Sequence, residues 1–290
     1  MRLAVVVSFL DEETSLPGLL DSLGAQQRPP DELLLVDDGS RDASAAAAAA
    51  FCAGHPWARL LRRPPRPPSR DRLASAAELQ AFAWAVEQLD PAWDVVGKLD
   101  ADMVLTPATL RAVLERFEAE PRLGMTGPRI AEPDAAGVPR RRPCGPGHVE
   151  GSTKFYLRRC YDEIAPLPTI LGWDVIDESR ARMHGWQTGS FEVEDGDPLH
   201  TRPMGAHDGR LRAFRRWGLC GYAYGAHPLH VAAYGGRLMT AEPYVAGGLN
   251  YLAGYAAAAA RRVPRAEPEL RREVRREQLG RMLARVRGAR

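Results

Sequence analysis

Three short apolar runs, at residues 3–7, 33–36 and 95–99, constrain the fold of this 290-residue chain more than any other feature. Each is continuous rather than alternating and rich in Val or Leu, the pattern of a strand buried on both faces. The third run is the most informative. Val95-Val96-Gly97-Lys98-Leu99 ends in Asp100-Ala101-Asp102, two carboxylates spaced i, i+2. Met103-Val104-Leu105 follows, then Thr106-Pro107, an N-cap and first-turn proline that predict a helix over residues 107–119. Residues 57–61 and the segment around Met125 read as further strands. Helices are expected through Leu16, Leu19, Leu20 and Leu23, through the Ala-rich segment after Asp42, and over residues 75–89. Strands alternating with helices predict an α/β fold with a mostly parallel, doubly wound sheet.

Beyond Gly127 the pattern changes. Residues 131–150 collect Pro, Gly and Arg and read as an irregular loop. A short helix is expected over residues 179–185, after Gly172-Trp173-Asp174, and the remainder to about 240 reads as turn-rich. This organisation predicts a domain over residues 1–240, with halves at 1–130 and 131–240, and a helical, basic extension over 241–290. From residue 261 onward there are 11 Arg against 4 Glu. Leu279, Met282, Leu283 and Val286 follow the i, i+3, i+4, i+7 rule and share one helical face. Such a helix either packs on its own protein or makes peripheral contact with an anionic membrane.

Net charge is only +2, so no nucleic-acid partner is expected. Cys52, Cys144, Cys160 and Cys220 are widely spaced and form no Cys-x-x-Cys pair, which suits free thiols in a cytoplasmic protein. The apolar run after Arg2 stops at Asp11-Glu12-Glu13, so it reads as a strand rather than a leader. The uncharged stretch 244–260 is too short and too weakly apolar to span a bilayer.

The ends of the runs carry the chemistry. Ser8 and Glu12 flank the first, Asp37-Asp38-Gly39-Ser40 closes the second, and Asp100 and Asp102 close the last. Parallel strands deliver these groups to one sheet edge, where ligands of open α/β sheets bind. A pair of carboxylates there suits a hard divalent cation that shares its shell with substrate phosphates. The same four residues after the second strand also make an ordinary turn and helix cap.

Residues 3–13, Val36-Asp37-Asp38-Gly39-Ser40 and Lys98-Leu99-Asp100-Ala101-Asp102 together resemble the opening of family 2 glycosyltransferases, inverting enzymes of the GT-A fold that use nucleotide-diphosphate sugars. Gly172-Trp173-Asp174, followed by a helix and Gly185-Trp186, resembles the family's acceptor-side motif, with Trp173 where the family usually has Glu. Asp11 stands where Asn is usual. The resemblance implies a nucleotide-sugar site at Ser8, Phe9, Glu12, Asp38, Asp100, Ala101 and Asp102. It implies Mn2+ or Mg2+ at Asp100, Asp102 and His200, and Asp174 as the base. Arg70 and Arg72 could reach the diphosphate. Asp177 and Glu178, three and four positions on, are alternatives to Asp174; as plain residues they read as a solvated helix start. Trp173, on the acceptor side, could stack on a sugar, whereas Phe155, Tyr156, Tyr161 and Trp186 read as core. The acceptor would be a carbohydrate, a lipid-linked species or a small molecule.

Two other readings compete. An inactive sugar-nucleotide-binding scaffold would keep the fold without the chemistry. Asp100-Ala101-Asp102-Met103-Val104 also fits the Asp-x-Asp-x-Val signature of haloacid-dehalogenase-type phosphatases, but that motif belongs on a first strand, and here it falls on the fourth.

Overall fold

The computed structural model describes residues 1–64, 76–134, 136–145, 147–202 and 209–288. It divides into two compact units, Met1–Leu167 with His184–Pro203, and Pro168–Met183 with Met204–Arg290.

In the first unit the expected parallel strands form β1 (Leu3–Phe9), β2 (Glu32–Asp37), β3 (Ala58–Arg62) and β4 (Val95–Asp100). A short β5 (Met103–Val104) follows, then β6 (Leu123–Pro128), β7 (Ala131–Pro133), β8 (Pro139–Arg141), β9 (Thr153–Leu157), β10 (Gln187–Phe191) and β11 (Leu199–His200). Seven of them make the main sheet, in the order β10-β6-β9-β4-β1-β2-β3, and a second sheet runs β5-β11-β7-β8. All neighbours in the main sheet are parallel except β9, which is antiparallel to both β4 and β6.

Helices cover both faces of the main sheet. Leu3, Val5, Val7, Leu33 and Leu35 pack with α1 (Leu16–Gly24) and α4 (Thr109–Ala119), which contribute Leu19, Leu23, Leu110 and Val113 to the same buried cluster. The alternate positions Ala4, Val6, Leu34, Val36 and Val96 are equally buried. That double burial is why the runs are continuous in sequence. The unit is completed by α2 (Ser44–Gly54), α3 (Ala77–Val86) and α5 (Arg158–Ile164), with Phe82 of α3 stacked on Tyr156 at 5.9 Å between ring centroids.

Two expectations for this unit need correcting. Residues 131–150 are not wholly irregular, because β7 and β8 pair as a hairpin. Strand β9 was not expected at all: its sequence, Thr-Lys-Phe-Tyr-Leu, carries Lys154, which is fully buried.

The second unit is helical: α6 (Trp173–Met183), α7 (Arg210–Ala223), α8 (Pro228–Leu238), α9 (Val245–Ala260) and α10 (Pro268–Gly288). The division expected at 240/241 falls inside it, since α7 and α9, on either side of that point, pack closely together. A Cβ on Gly218 would stand 1.9 Å from the Tyr251 carbonyl oxygen, and one on Gly254 would stand 1.9 Å from that of Arg215. Gly218, in the stretch that reads as turns, is therefore a contact point of a helix pair. Gly218→Ala should lower unfolding stability by about 2 kcal/mol, within the range for overpacking. Urea denaturation measures this, and an unchanged midpoint would mean the seam opens freely.

Within this unit α10 packs on α6 through Leu270 and Val274, which meet Ile176 and Ala266. The Arg182 Nε–H donates to Glu277 at 2.7 Å. The apolar stripe singled out in sequence is not the packed face: Leu279 and Met282 are half-buried and Leu283 is 57% exposed. The side chain of Val286 lies outside the described residues. Among the described residues, no helix is long and apolar enough to cross a membrane.

Candidate active site

The carboxyl ends of β1, β2 and β4 are adjacent in the sheet, with Ser8 in register with both Val36 and Asp100. After β2 the chain turns on Asp37, whose Oδ1 accepts the Gly39 and Ser40 N–H groups at 3.1 and 2.7 Å. Asp37 is thus the turn residue. The Asp38 Oδ1 instead takes a 3.0 Å bond from the largely buried Arg63 guanidinium. Arg63, just past β3, had no motif to mark it.

The segment after β1 is laced to the segment after β2. Asp11 (φ +55°) accepts the Arg41 N–H at 2.7 Å, and the Glu12 N–H donates to Ser44 Oγ at 2.7 Å. The side chains of Phe9 and Ala101 belong to the buried core, so these two positions offer the site only their backbone. Phe9 uses its carbonyl to accept the Asp38 N–H at 2.9 Å.

Asp100 ends β4, and its carboxylate is bound by Nζ of the buried Lys98, which also donates to the Gly151 carbonyl at 2.9 Å. Burial alone would lower the Lys98 pKa, but Asp100 and Glu78 outweigh it and hold the ammonium above its usual value. Asp102 follows in the turn to β5. Because β5 pairs with β11, with His200 opposite Met103, a residue nearly a hundred positions away is brought to the carboxylate pair. The Thr201 N–H and Oγ1 both donate to the Asp102 carbonyl at 2.9 Å.

Asp102 Oδ2 lies 3.2 Å from His200 Nε2 and accepts the Arg202 Nε–H at 2.8 Å. Each cationic partner has a second carboxylate. His200 Nδ1 is 3.2 Å from Glu132, and Arg202 donates to Glu12 Oε1 at 2.6 Å. Arg202, Glu132 and Arg63 were missed in the sequence, where only His200 was singled out downstream. Arg70 and Arg72 lie outside the described residues.

This cluster shifts both ends of the Asp102–His200 pair. Burial would raise Asp102, but the hydrogen bonds and charges of His200 and Arg202 bring it down to about 2. Burial would lower His200, but Asp102 and Glu132 push it up to about 10. The stability from His200 is complete below its ordinary value of 6.5 and is lost as pH rises through about 10. That from Asp102 is complete above 3.8 and is lost as pH falls through about 2. The melting temperature should therefore decline on the alkaline side of pH 6.5. His200→Ala should flatten that decline in a pH series of thermal melts; an identical slope in the variant would rule out the pair as its source.

The donor set suits a divalent cation that also takes substrate oxygens. Among the described residues no three His, Cys, Asp or Glu side chains form a closed metal site. Asp102 and a deprotonated His200 would offer two donors, and Glu12 Oε2 is buried with no hydrogen-bond partner among the described residues. A hard ion held by one or two carboxylates, with diphosphate and water filling its shell, needs no more from the protein.

In the helical unit, Asp174 occupies the first turn of α6, which begins at Trp173 rather than near residue 179. Gly172 precedes it at φ +79°, with its Cα against Tyr224 and Cys220: an added Cβ would stand 3.1 Å from the Tyr224 ring. Burial pushes the Cys220 thiol up to about 12, and the neighbouring Asp174 charge adds to the shift. Of the three acids, Asp174 is half-buried, whereas Asp177 (0% exposed) and Glu178 (3% exposed) are interior. The solvated helix start expected for Asp177 and Glu178 is therefore not what forms: the Arg182 guanidinium approaches Glu178 at 3.7 Å, and the Asp177 carboxylate turns back to accept the Glu178 N–H at 2.6 Å. Trp173 is buried at 7% exposure, leaving little ring face for a sugar.

Comparison with known proteins bears on the fold and the family. The chain is similar in structure to the mannosyltransferase PcManGT from Pyrobaculum calidifontis, solved with GDP-Man and Mn2+. The TM-score is 0.59 at 21% identity, covering 89% of this chain and 75% of that one. It is also similar to S. aureus TarS 1–349 in complex with UDP-GlcNAc, with a TM-score of 0.54, 16% identity, and 94% and 78% covered. A third similar structure is GalNAc-T7 with UDP, GalNAc and Mn2+, with a TM-score of 0.58, 13% identity, and 83% and 51% covered. No curated protein matches the sequence. Residues 4–170, more than half of the 290, match the family described as Glycosyl transferase family 2. The chain belongs to that family: it is a glycosyltransferase built on the GT-A type of mixed α/β fold.

Proposed function

We propose that the protein is a metal-dependent, inverting glycosyltransferase that moves a sugar from a nucleotide-diphosphate donor to an acceptor hydroxyl, in the synthesis of a bacterial polysaccharide, glycolipid or other glycoconjugate. The observation that carries this reading is the approach of His200 Nε2 to within 3.2 Å of Asp102 Oδ2 at the end of β4. In this reading Ser8 and Asp38 take the ribose and base, with Asp38 held in place by Arg63. Asp100, bound by the Lys98 ammonium, faces the ribose side. Asp102 and His200 would hold Mn2+ or Mg2+, which when bound neutralises charge on the leaving diphosphate as a Lewis acid.

Asp174 takes the acceptor proton. A hydroxyl is a poor nucleophile at neutral pH and needs a positioned carboxylate. Inversion requires attack from the side opposite the leaving group, which suits a base contributed by a segment other than β4. The same carboxylates argue against an inactive scaffold, because Asp38, Asp100, Asp102 and Asp174 are all kept. The phosphatase reading finds no support in the family match, and its Asp-x-Asp pair follows a fourth strand.

The direct test is a panel of nucleotide sugars with Mn2+, read first as thermal stabilisation and then as transfer or slow donor hydrolysis. A ligand that binds only the folded chain raises its melting temperature. Stabilisation by one donor followed by its hydrolysis is expected; binding with no turnover, with or without candidate acceptors, would favour the scaffold.

We place the protein in the cytoplasm, with α10 resting on the anionic inner face of the membrane. Support comes from the exposed Leu283 on a helix flanked by arginines, while Leu270 and Val274 hold the helix to its own unit. Salt-sensitive co-sedimentation with anionic vesicles is expected for the native chain and should be lost in Leu283→Glu, with each nearby Arg contributing roughly 1 kcal/mol. Equal binding by the variant would remove α10 from the contact.

A further inference from the structure

The guanidinium of Arg202 bridges two carboxylates from different strand ends. Its Nε–H donates to Asp102 Oδ2 at 2.8 Å and its terminal N–H to Glu12 Oε1 at 2.6 Å. Asp102 is the carboxylate assigned above to the divalent cation, and the inference rests on that assignment. A second cation cannot approach the same oxygen without opposing the guanidinium already there. With His200 neutral, as a metal ligand must be, two carboxylates sharing one permanent positive charge leave a single surplus negative charge, which is a poor site for a doubly charged ion on its own.

A nucleoside diphosphate changes that balance. It brings further negative charge and several oxygens, and guanidinium binds phosphate oxygens through the same two-pronged geometry that it uses for carboxylates. Among the described residues Glu12 Oε2 is buried with no hydrogen-bond donor, so an incoming cation, water or hydroxyl would meet an open acceptor there.

We propose that Arg202 is a resident counter-cation: it clasps Glu12 and Asp102 while the site is empty of donor and passes to the diphosphate when donor enters, freeing Asp102 for the divalent ion. Metal and diphosphate then bind as a coupled pair. Arg202 is a positioning residue for the metal and a direct contact of the diphosphate. Because arginine stays protonated throughout the accessible pH range, the exchange is driven by ligand charge and not by titration.

The test measures Mn2+ binding directly, through the spin-resonance signal of the free ion, in the full chain. Mn2+ is titrated alone and with saturating UDP or GDP, for the native protein, Arg202→Gln and Arg202→Lys. The native chain should bind Mn2+ alone weakly and gain about 10-fold or more in affinity with one of the diphosphates, in the usual range for coupled sites. Arg202→Gln should bind Mn2+ alone about 10-fold more tightly than the native chain and bind the diphosphate more weakly, so that the coupling shrinks. Arg202→Lys, a point charge that cannot clasp both carboxylates, should fall between them and carries the test if the glutamine variant does not fold.

A merely structural Arg202 predicts the opposite for the first quantity: its loss would loosen the site and weaken Mn2+ binding alone. Native-like or weaker binding of Mn2+ alone by a folded Arg202 variant therefore overturns the proposal and leaves the metal assignment standing. No Mn2+ binding by any of the proteins, with either diphosphate present, overturns the metal assignment and this inference with it.

Discussion

Asp102→Asn should lower the transfer rate by at least ~10³-fold, about 4 kcal/mol of barrier, while the protein stays folded. Asp102 Oδ2 is the meeting point of His200 and Arg202, and the leaving diphosphate develops its charge where the cation would be held. Removing the carboxylate removes a ligand that would hold the charge-neutralising cation there. The fold should survive because neither cationic partner is stranded: His200 keeps Glu132 and Arg202 keeps Glu12. Leaving a buried charge with no partner is what makes such losses severe, and that condition is not met. The measurement pairs transfer rates with a thermal melt of the same sample. Full activity of the native chain in excess chelator, or of Asp102→Asn in Mn2+, would remove the metal from the reaction.

Asp174→Asn is expected to keep donor binding and lose at least ~10²-fold in transfer, the lower end for a general base. The burial pattern of α6 sharpens the comparison with its neighbours. Asp177 and Glu178 are interior and make contacts inside their own unit, so Asp177→Asn and Glu178→Gln should act on the melting temperature rather than on the rate of the folded enzyme. Asp174 is the only one of the three that is not buried, and its loss should leave the melt nearly unchanged. Rates per folded molecule, with donor affinity measured separately, decide the matter. A folded but inactive Asp177→Asn, beside an active Asp174→Asn, would move the base along the helix.

The central parallel strands were legible because their signal is local. Runs such as residues 3–7 and 33–36 are apolar at every position because helices cover both sheet faces, and the acidic turn after each run marks where the strand stops. Residues 204–240 misled for an equally physical reason. Gly218 punctuates the sequence as a turn does, but here it admits the neighbouring helix to backbone contact. A pattern rule reads what a glycine allows its own backbone to do; it has no access to what approaches from outside. Strand β9 escaped notice because its buried Lys154 looks like a solvent position until its neighbours are known.

The sequence by itself determined the class of fold and the placing of Asp38, Asp100 and Asp102 at adjacent strand ends. Those follow from side-chain period and strand direction over stretches of a few residues. Only the tertiary structure decided what those acids meet. The pairing of β5 with β11 brings His200 and Arg202 to Asp102, the end of β3 brings Arg63 to Asp38, and the packing of α6 separates an accessible Asp174 from interior Asp177 and Glu178. Charge and hydrogen-bond partners depend on distances of a few ångströms between segments up to a hundred residues apart, and no periodicity along the chain encodes those distances.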